Sequence, residues 1–294
     1  MILLTGASGT VGTALLRRLL GAGRPVRCLV RDPRELGPER VRVQLVLGDL
    51  AAPSSFRHAM RGVDCVVHLA GATRDHRAAS IEELNALATL RLLRAAEAAG
   101  VERFVFLSSL GASAHSRSRL LRSKALAETA VAAAPFETTI LAPSLVVTPG
   151  DRWLTVVDRL SWLPAMPVPG EGRARFQPIA AREVADCAVA ALDVPAPGRF
   201  ELAGPETLTH DQIVAGVLRA RGRRRRLLHI PPVGVRLGLG TIERVLGPAV
   251  FATPDEADLL DLSMATTQGT LDAQRLGVTP RSLAEVLGSG PALN

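Results

Sequence analysis

The sequence contains no tyrosine and few aromatic residues of any kind. Phenylalanine and tryptophan together account for 3% of its 294 residues, and Lys124 is the single lysine. The missing tyrosine excludes a phenolic O–H as a proton donor anywhere in the chain. The scarcity of aromatic rings leaves no surface on which nucleic-acid bases would stack, so binding of nucleic acid is disfavoured.

Cysteine is also scarce, with three residues at Cys28, Cys65 and Cys187. The odd count and the wide spacing fit neither a disulfide framework nor a metal site, so we expect no bound metal. Each cysteine lies in an apolar segment, where a thiol behaves as a small hydrophobic group. Free thiols of this kind are typical of a reducing compartment, which predicts a cytoplasmic protein.

Long apolar runs are missing as well. No stretch reaches the roughly 20 apolar residues that cross a bilayer, and the nearest approach, residues 232–247, is interrupted by Arg236 and Glu243. We expect that stretch to be a helix of a smaller lobe. The first strand is predicted to begin at Ile2, which leaves no room for a signal or transit peptide.

The basic residues are almost all arginine, and the formal net charge is +7. The densest basic run, residues 223–226, follows Gly222 and precedes the mainly apolar residues 227–230. This context predicts a solvated turn that leads into a strand rather than a nucleic-acid site.

The first half of the chain alternates between strand-like and helix-like patterns. Apolar runs lie at residues 2–5, 26–30, 43–47, 63–69, 103–107 and 138–141, and helical patterns lie between them at residues 13–20, 54–60, 81–99 and 124–134. Runs that are apolar throughout are typical of strands buried on both faces. The alternation predicts right-handed βαβ units, and therefore an α/β fold with a doubly wound parallel sheet of the Rossmann type.

The pattern changes after residue 150, where prolines cluster and a loop-rich region is predicted. A helix at residues 182–192 and a strand at 199–202 are expected to return to the sheet. We therefore predict a nucleotide-binding domain of residues 1–150, with residues 175–205 returning to it. Residues 151–174 and 206–294 are predicted to form a smaller, mostly helical lobe that covers the substrate.

A glycine-rich segment, TGASGTVG at residues 5–12, lies between the first predicted strand and the first helix. Gly6 allows the tight turn, Gly9 lets the backbone approach a pyrophosphate, and Gly12 lets the helix pack on the sheet. The start of the helix offers free N–H groups and the positive end of its dipole. This context predicts a dinucleotide site with contacts at Thr5, Gly6, Ser8, Gly9, Thr10, Val11 and Gly12.

The residues after the second predicted strand bear on the choice between NAD and NADP. An acidic residue there would hold the ribose hydroxyls of NAD, but Arg31 follows the strand at once and Arg34 comes soon after. Arginine suits a 2′-phosphate through charge-assisted bidentate bonds, so NADPH is favoured over NADH. Asp32 comes one position later than an acidic residue that would hold the ribose of NAD, so NAD stays open as the cofactor. Asp49 is placed to hydrogen-bond the adenine, to cap a turn, or to do both.

With these residues in place, the chain resembles the short-chain dehydrogenase/reductase superfamily, and especially its atypical branch of complex I 39-kDa-subunit-like and NmrA-like proteins. The resemblance covers about residues 1–205. Beyond the glycine-rich loop, the matching segments are Gly48-Asp49-Leu50, His68-Leu69-Ala70-Gly71, Asn85, Ser108-Ser109, Ser123-Lys124-Ala125 with Glu128, Pro143-Ser144, Pro149-Gly150-Asp151, Phe176-Gln177-Pro178-Ile179 and Glu183-Val184-Ala185. The resemblance implies that the cofactor is lined by Asp49, Leu50, Leu69, Ala70 and Gly71, and that Lys124 holds the nicotinamide ribose.

In active members of that superfamily, a tyrosine four residues before the lysine transfers the proton, and a serine near the fifth strand orients the substrate oxygen. Leu120 stands at the tyrosine position and Ser109 at the serine position. Leucine has no proton to donate, so the usual mechanism is excluded. Lys124 is the single lysine of an arginine-rich chain, and its place in the motif favours ribose binding over an exposed helix lysine.

Another proton source is therefore needed if the chain is a catalyst. His115 lies in the loop between the serines and Lys124 and has a suitable pKa range for acid–base work, but a solvated loop histidine is the alternative. Water, or an ene-type reduction that uses Lys124, stays open. Trp153, Trp162 and Phe176 either cover a flat apolar ligand or belong to the core, and the core is favoured.

Two functions fit the sequence. The first is an NADP(H)-dependent oxidoreductase of the short-chain dehydrogenase/reductase type with a non-standard proton source, whose catalytic candidates are Ser109, Lys124 and His115. The second is a non-catalytic NADP(H)-binding redox sensor or assembly subunit. A sugar-nucleotide epimerase is weaker, because that chemistry depends on the missing tyrosine. The sequence predicts neither the substrate nor the oligomeric state.

Overall fold

The structure is a computed structural model of the chain, and it describes residues 1–76, 79–193, 197–231, 234 and 253–288. Its centre is a seven-stranded sheet in which every neighbouring pair is parallel. Along the chain its strands are β1 (Ile2–Thr5), β2 (Val26–Val30), β3 (Gln44–Leu47), β4 (Cys65–His68), β5 (Arg103–Leu107), β6 (Glu137–Pro143) and β11 (Gly198–Leu202). They lie side by side in the order β3-β2-β1-β4-β5-β6-β11. The predicted doubly wound α/β fold is confirmed, and its switch point lies between β1 and β4.

Helices cover both faces of this sheet, with α1 (Thr10–Gly21) and α5 (Ala181–Asp193) on one face and α2 (Ala88–Ala98) and α3 (Arg119–Ala132) on the other. The other described helices are α4 (Arg152–Leu160), α6 (His210–Ala220), α7 (Pro254–Leu259), α8 (Leu271–Arg275) and α9 (Leu283–Gly288). Leu4 and Val67 belong to the core under α1 and α5, whereas Leu3 and Val66 belong to the core under α2 and α3. Successive strand residues thus enter opposite cores, which explains why these strands are apolar throughout.

Several boundaries differ from the sequence prediction. Helix α3 begins at Arg119, five residues earlier than predicted, because the Ser118 side chain accepts a hydrogen bond from the Leu121 N–H and caps it. The predicted helix at 54–60 is wrong: two short 3-10 turns, Pro53–Ser55 and Arg57–Met60, flank the fully buried Phe56. Burial of this ring on the sheet overrides the helical pattern.

The region after residue 150, predicted to be loop-rich, contains more regular structure than expected. This segment contains α4 and a strand, β8 (Ala165–Pro169), that pairs in parallel with β13 (Arg226–Ile230). Pro167 and Pro169 lie within β8. A proline lacks an N–H, which a two-stranded sheet tolerates because each strand has one open edge.

Two further short strand pairs lie in the described part of the chain. Strand β7 (Val146–Val147) pairs with β10 (Ile179–Ala180), and β9 (Arg175–Phe176) pairs with β12 (Leu208–Thr209). The predicted helix at 232–247 lies outside the described residues, apart from residue 234. In the described ranges, no helix is both long and apolar enough to span a bilayer.

Candidate active site

The glycine-rich loop lies at the carboxyl end of β1, at the switch point of the sheet. Gly6 has φ +72°, and a Cβ atom there would lie 2.5 Å from the Ala70 nitrogen. A Cβ on Gly12 would lie 2.0 Å from the Gly6 carbonyl oxygen, whereas a Cβ on Gly9 would approach no atom closer than 3.3 Å. Gly6 and Gly12 are therefore required by the fold itself. Gly9 caps α1 without any side-chain bond to the first turn, so that turn remains open to a phosphate.

The other predicted loop residues fall into two groups. Thr10 and Val11 line the cleft in front of α1. Thr5 is fully buried behind the loop, where its Oγ1 lies 2.7 Å from His68 Nδ1. The Ser8 hydroxyl donates to Glu35 Oε2 at 2.9 Å. The structure thus brings the loop residues to one place, but Thr5 supports the loop from below.

The two predicted arginines occupy different positions. Arg31 is exposed and lines a pocket beside the loop, together with Glu35 and Asp49. Arg34 forms an ion pair with Asp32 at 2.8 Å, and 84% of its side chain is exposed. Hydrogen bonds from Arg34 lower the pKa of Asp32. Within the described part of the chain, Arg31 is therefore the arginine placed on the pocket.

Glu35 is a pocket residue that the sequence reasoning missed. Asp32 caps a 3-10 segment, Pro33–Arg42, by accepting the Arg34 N–H, and this turn brings Glu35 back to the loop. The signal was an Asp-Pro pair, which is typical of a capped helical turn.

Asp49 is placed for both of the roles that the sequence left open. Its Oδ1 accepts the Ala51 N–H at 2.9 Å, so it caps the turn, and it also lines the pocket. The remaining residues implied by the resemblance line the same pocket, namely Leu50, Leu69, Ala70 and Gly71. The pocket therefore gathers residues that follow β1, β2, β3 and β4.

Lys124 is buried behind residues that line the cleft and the pocket. Its Nζ donates to the Leu107 carbonyl at 2.7 Å and lies 4.9 Å from the centroid of the Phe106 ring. A Cβ on Gly71 would lie 3.2 Å from this Nζ, so the ammonium group is next to the loop that lines the pocket. Burial lowers the pKa of Lys124 from 10.5 to about 8, against an opposing effect of Glu128.

The loop after β4 is fixed by Asn85. Its Nδ2 donates to the Ala72 and Ile81 carbonyls at 2.8 Å each, and its Oδ1 accepts the Ala72 N–H. Asn85 lies in a π-helical turn, Glu83–Leu87, that precedes α2. Such turns are frequent at functional sites. This side chain holds the loop beside Lys124.

The other residues at the predicted catalytic positions do not line the pocket together. Leu120 is buried one turn before Lys124. Ser109 is half-buried and its hydroxyl donates to the Leu110 carbonyl at 3.3 Å. His115 is exposed, and the pockets described here do not include it. Lys124 is likewise absent from the pocket linings, but its Nζ contacts Leu107 and lies beside Gly71, which belong to them.

A large apolar cavity adjoins the cleft, with a volume of about 620 Å³. Its described lining comes from the segment before β7, from α4, β8, β9, α6, β13 and α7, and includes Leu145, Val156, Val157, Leu160, Met166, Phe176, Val214, Ile230, Leu259, Leu260 and Met264. Trp153 belongs to this wall as well, whereas Trp162 is 72% exposed and lies under Arg223, 3.9 Å from ring centroid to guanidinium. The cavity and the cleft share Thr10, Arg152 and Trp153.

Polar groups are few in this cavity and lie mainly at one side. Arg74 and Glu256 form an ion pair at 2.6 Å, and the Thr73 hydroxyl donates to Glu256 at 2.7 Å. Burial lowers the pKa of Arg152 despite the opposing effect of Glu256. Sequence reasoning missed Arg152, Glu256 and the buried His210 of the same cavity, because no motif connects residues so far apart in the chain.

The residues present fit a dinucleotide. The open first turn of α1, the glycine positions that a Cβ would fill, and a desolvated ammonium group lie along one cleft. Among the described residues there is no cluster of three histidine, cysteine, aspartate or glutamate residues that would hold a metal ion.

Comparison with known proteins identifies the family of this chain. The NAD(P)H-binding family matches residues 6–195 of the chain. The mitochondrial NADH dehydrogenase (ubiquinone) 1 alpha subcomplex subunit 9 of Arabidopsis thaliana is 32% identical over 223 residues, which are 71% of this chain and 54% of that protein. Ceramide reductase of Caulobacter vibrioides is 30% identical over 239 residues, 80% of this chain and 75% of that protein.

A solved structure shares the fold. The NADPH-dependent quinone oxidoreductase QOR2 of Escherichia coli, complexed with NADPH, has a TM-score of 0.77 at 17% identity, with 98% of both chains covered. The chain belongs to the NAD(P)H-binding family, and its resemblance to the atypical short-chain dehydrogenases/reductases is confirmed.

Proposed function

We propose that this member of the NAD(P)H-binding family is an NADPH-dependent reductase whose proton does not come from a tyrosine. One observation carries the proposal: the apolar cavity opens onto the glycine-rich cleft at Thr10, Arg152 and Trp153. A protein that only sensed the nucleotide would not need a second cavity of this size beside it. A substrate in the cavity would instead lie next to the bound dinucleotide.

The residues of the cleft bind and orient the nucleotide. The open N–H groups of α1 would hold the pyrophosphate, and Arg31 would pair with the 2′-phosphate. Lys124 donates to the hydroxyls of the nicotinamide ribose. Bound NADPH supplies a hydride, which is the part of the chemistry that no side chain provides.

Arg152 is the best-placed partner for the substrate oxygen. It lies where the cavity and the cleft meet, and its guanidinium offers N–H donors in a rigid fork without giving up its own proton. It would stabilise the negative charge that develops on a carbonyl oxygen as hydride reaches the carbon. A proton from water at the mouth of the cleft then completes the alcohol.

A non-catalytic sensor is the second candidate. The buried Leu120 at the tyrosine position favours it, because an apolar side chain there cannot take part in proton transfer. The two functions differ in one respect that can be measured, namely whether bound NADPH is oxidised.

Fluorescence and turnover together test the proposal. Trp153 lines both the apolar cavity and the cleft, and the chain has no tyrosine. In a Trp162→Phe protein, the fluorescence of Trp153 alone therefore reports nucleotide binding. We expect NADPH to bind and to be oxidised by at least one apolar ketone or quinone in a panel. Arg152→Ala should lower turnover by about 100-fold. Arg159→Ala, which replaces another exposed arginine of α4 that lines neither the cavity nor the cleft, should leave turnover unchanged.

The outcomes separate the two functions. Tight NADPH binding with no oxidation by any compound would establish the sensor instead of the reductase. Binding of neither nucleotide would contradict both. Turnover that survives Arg152→Ala would remove Arg152 from the mechanism and return the search to Lys124 and Ser109.

A further inference from the structure

The apolar cavity has the size and the wall of a site for a lipid-like molecule. Its volume of about 620 Å³ lies in the range of pockets that enclose a small organic ligand. Val156 and Val157 of α4, Val214 of α6 and Met166 of β8 face it from different sides. This part of the wall gains from apolar contact and offers no hydrogen bond to a polar ligand.

Besides Thr10, Thr73, Arg152 and Glu256, one further polar side chain belongs to the described lining of the cavity. His210, the first residue of α6, is 2% exposed and lines the cavity between Trp153 and Phe176, whose ring centroids lie 6.2 and 6.3 Å from its own. Its Nδ1 is buried and has no hydrogen-bond partner among the described residues. Buried polar atoms of native proteins are nearly always paired, so the unpaired Nδ1 leaves His210 as a residue of the cavity wall with unused hydrogen-bonding capacity.

The neighbouring charges do not satisfy His210. The carboxylate of Asp211 faces away and binds His229 at 2.9 Å. Burial lowers the pKa of His210 from 6.5 to about 4, despite the opposing effects of Asp211 and Asp261. The ring is therefore neutral near pH 7, with one donor and one acceptor nitrogen, which suits a carbonyl or hydroxyl oxygen better than an anion.

We propose that the cavity binds a lipid-like molecule with a long apolar body and a neutral carbonyl or hydroxyl oxygen that pairs with His210. The proposal rests on the proposed function only in assigning this molecule to the substrate side of the cleft. It names a substrate class, and it makes His210 a residue that determines specificity.

Straight-chain methyl ketones of increasing length test the apolar part. Their binding is followed by the Trp153 fluorescence of the Trp162→Phe protein without nucleotide. Each added methylene should strengthen binding about fourfold until the cavity is filled. Val156→Phe, which narrows the cavity, should weaken the longest ketones and leave the shortest unchanged. Affinity that does not depend on chain length would overturn the proposal.

His210→Phe tests the polar part, because it keeps a ring of similar size and removes the nitrogens. Ketone binding should weaken about tenfold. His229→Phe is the matched control, since it replaces an exposed histidine of the same lobe, and it should leave binding unchanged. Equal binding by wild-type and His210→Phe proteins would remove His210 from the site.

Failure of this inference can be told apart from failure of the proposed function. Ketone binding that depends on chain length, with no NADPH oxidation, would support this inference and contradict the proposed reductase function. Oxidation of NADPH by short ketones, with no gain from longer chains, would do the reverse.

Discussion

The cofactor cleft and the apolar cavity meet at three residues but are built in different ways. Beside the glycine-rich loop, the cofactor site consists of the loops that directly follow β1, β2, β3 and β4, so the backbone and its glycines set its shape there. The cavity takes its wall from side chains that lie as far apart in sequence as Thr10 and Met264. The first can be read from a local motif, whereas the second exists only after the chain has folded.

Two buried histidines show the same difference. In the cleft, His68 Nδ1 lies 2.7 Å from Thr5 Oγ1 and His68 Nε2 lies 3.0 Å from Thr89 Oγ1, so both nitrogens are paired. In the cavity, Nδ1 of His210 has no partner in the described part of the chain. The polar groups behind the cleft serve the fold, while the polar group of the cavity wall is placed to serve a ligand.

The largest expected effect comes from filling the glycine loop. Gly12→Ala would place a Cβ 2.0 Å from the Gly6 carbonyl oxygen, and a backbone atom cannot move aside easily. We expect NADPH binding to weaken at least 100-fold and the free energy of unfolding to fall by about 3 kcal/mol. Titration of the nucleotide and urea denaturation measure the two effects.

Gly21→Ala is the matched control, because Gly21 ends the same helix and a Cβ there meets no atom within 4 Å. It should leave NADPH binding unchanged and stability the same or slightly higher. If Gly12→Ala behaved like Gly21→Ala, the close packing of α1 on the loop would not be what shapes the cleft.

The parts of the cleft could be located from the sequence because most of them follow a strand end. The alternating pattern gave the parallel sheet, and the spacing of Gly6, Gly9 and Gly12 gave the switch point. Lys124 was located by its motif. Its burial against the Leu107 carbonyl was not predicted, because burial depends on how α3 packs on the sheet.

The cavity could not be predicted in the same way. The prolines of β8 pointed to loops, since a sequence pattern does not reveal that a strand has an open edge. His210 sits in a capped amphipathic helix like any other buried residue of α6. Only the packing of α4, α6 and α7 around one space distinguishes it.

A smaller effect is expected at Lys124, where the cleft contains a buried charge. Lys124→Met should weaken NADPH binding about tenfold, because a donor to the ribose is lost. It should also raise the free energy of unfolding at pH 7 by about 2 kcal/mol. Removal of the desolvated charge should stabilise the folded state by roughly 3 kcal/mol, as this pKa shift implies. Loss of the hydrogen bond to the Leu107 carbonyl should offset about 1 kcal/mol of that gain. A variant that is both less stable and weaker in binding would contradict this assignment.

The pH dependence gives an independent check. The folded protein releases the Lys124 proton near pH 8, while the unfolded chain keeps it up to about 10.5. Between these values the unfolded state binds more protons, so this group makes the wild-type protein more stable as pH rises. The stability advantage of Lys124→Met should therefore shrink from pH 8 upward, as measured by urea denaturation of both proteins at each pH.

The smallest expected effect concerns the two arginines, and it tests whether one exposed side chain sets cofactor preference in a cleft otherwise shaped by backbone. Arg31→Ala should reduce the preference for NADPH over NADH about fivefold, since an exposed charge-assisted bond is weakened by solvent. Arg34→Ala is the control, because Asp32 holds its guanidinium away from the pocket. It should change the preference less than twofold. If wild-type protein bound NADH as tightly as NADPH, or if the Arg34 variant matched the Arg31 variant, the 2′-phosphate would not be read by Arg31, and Asp32 would become the residue to examine for NAD.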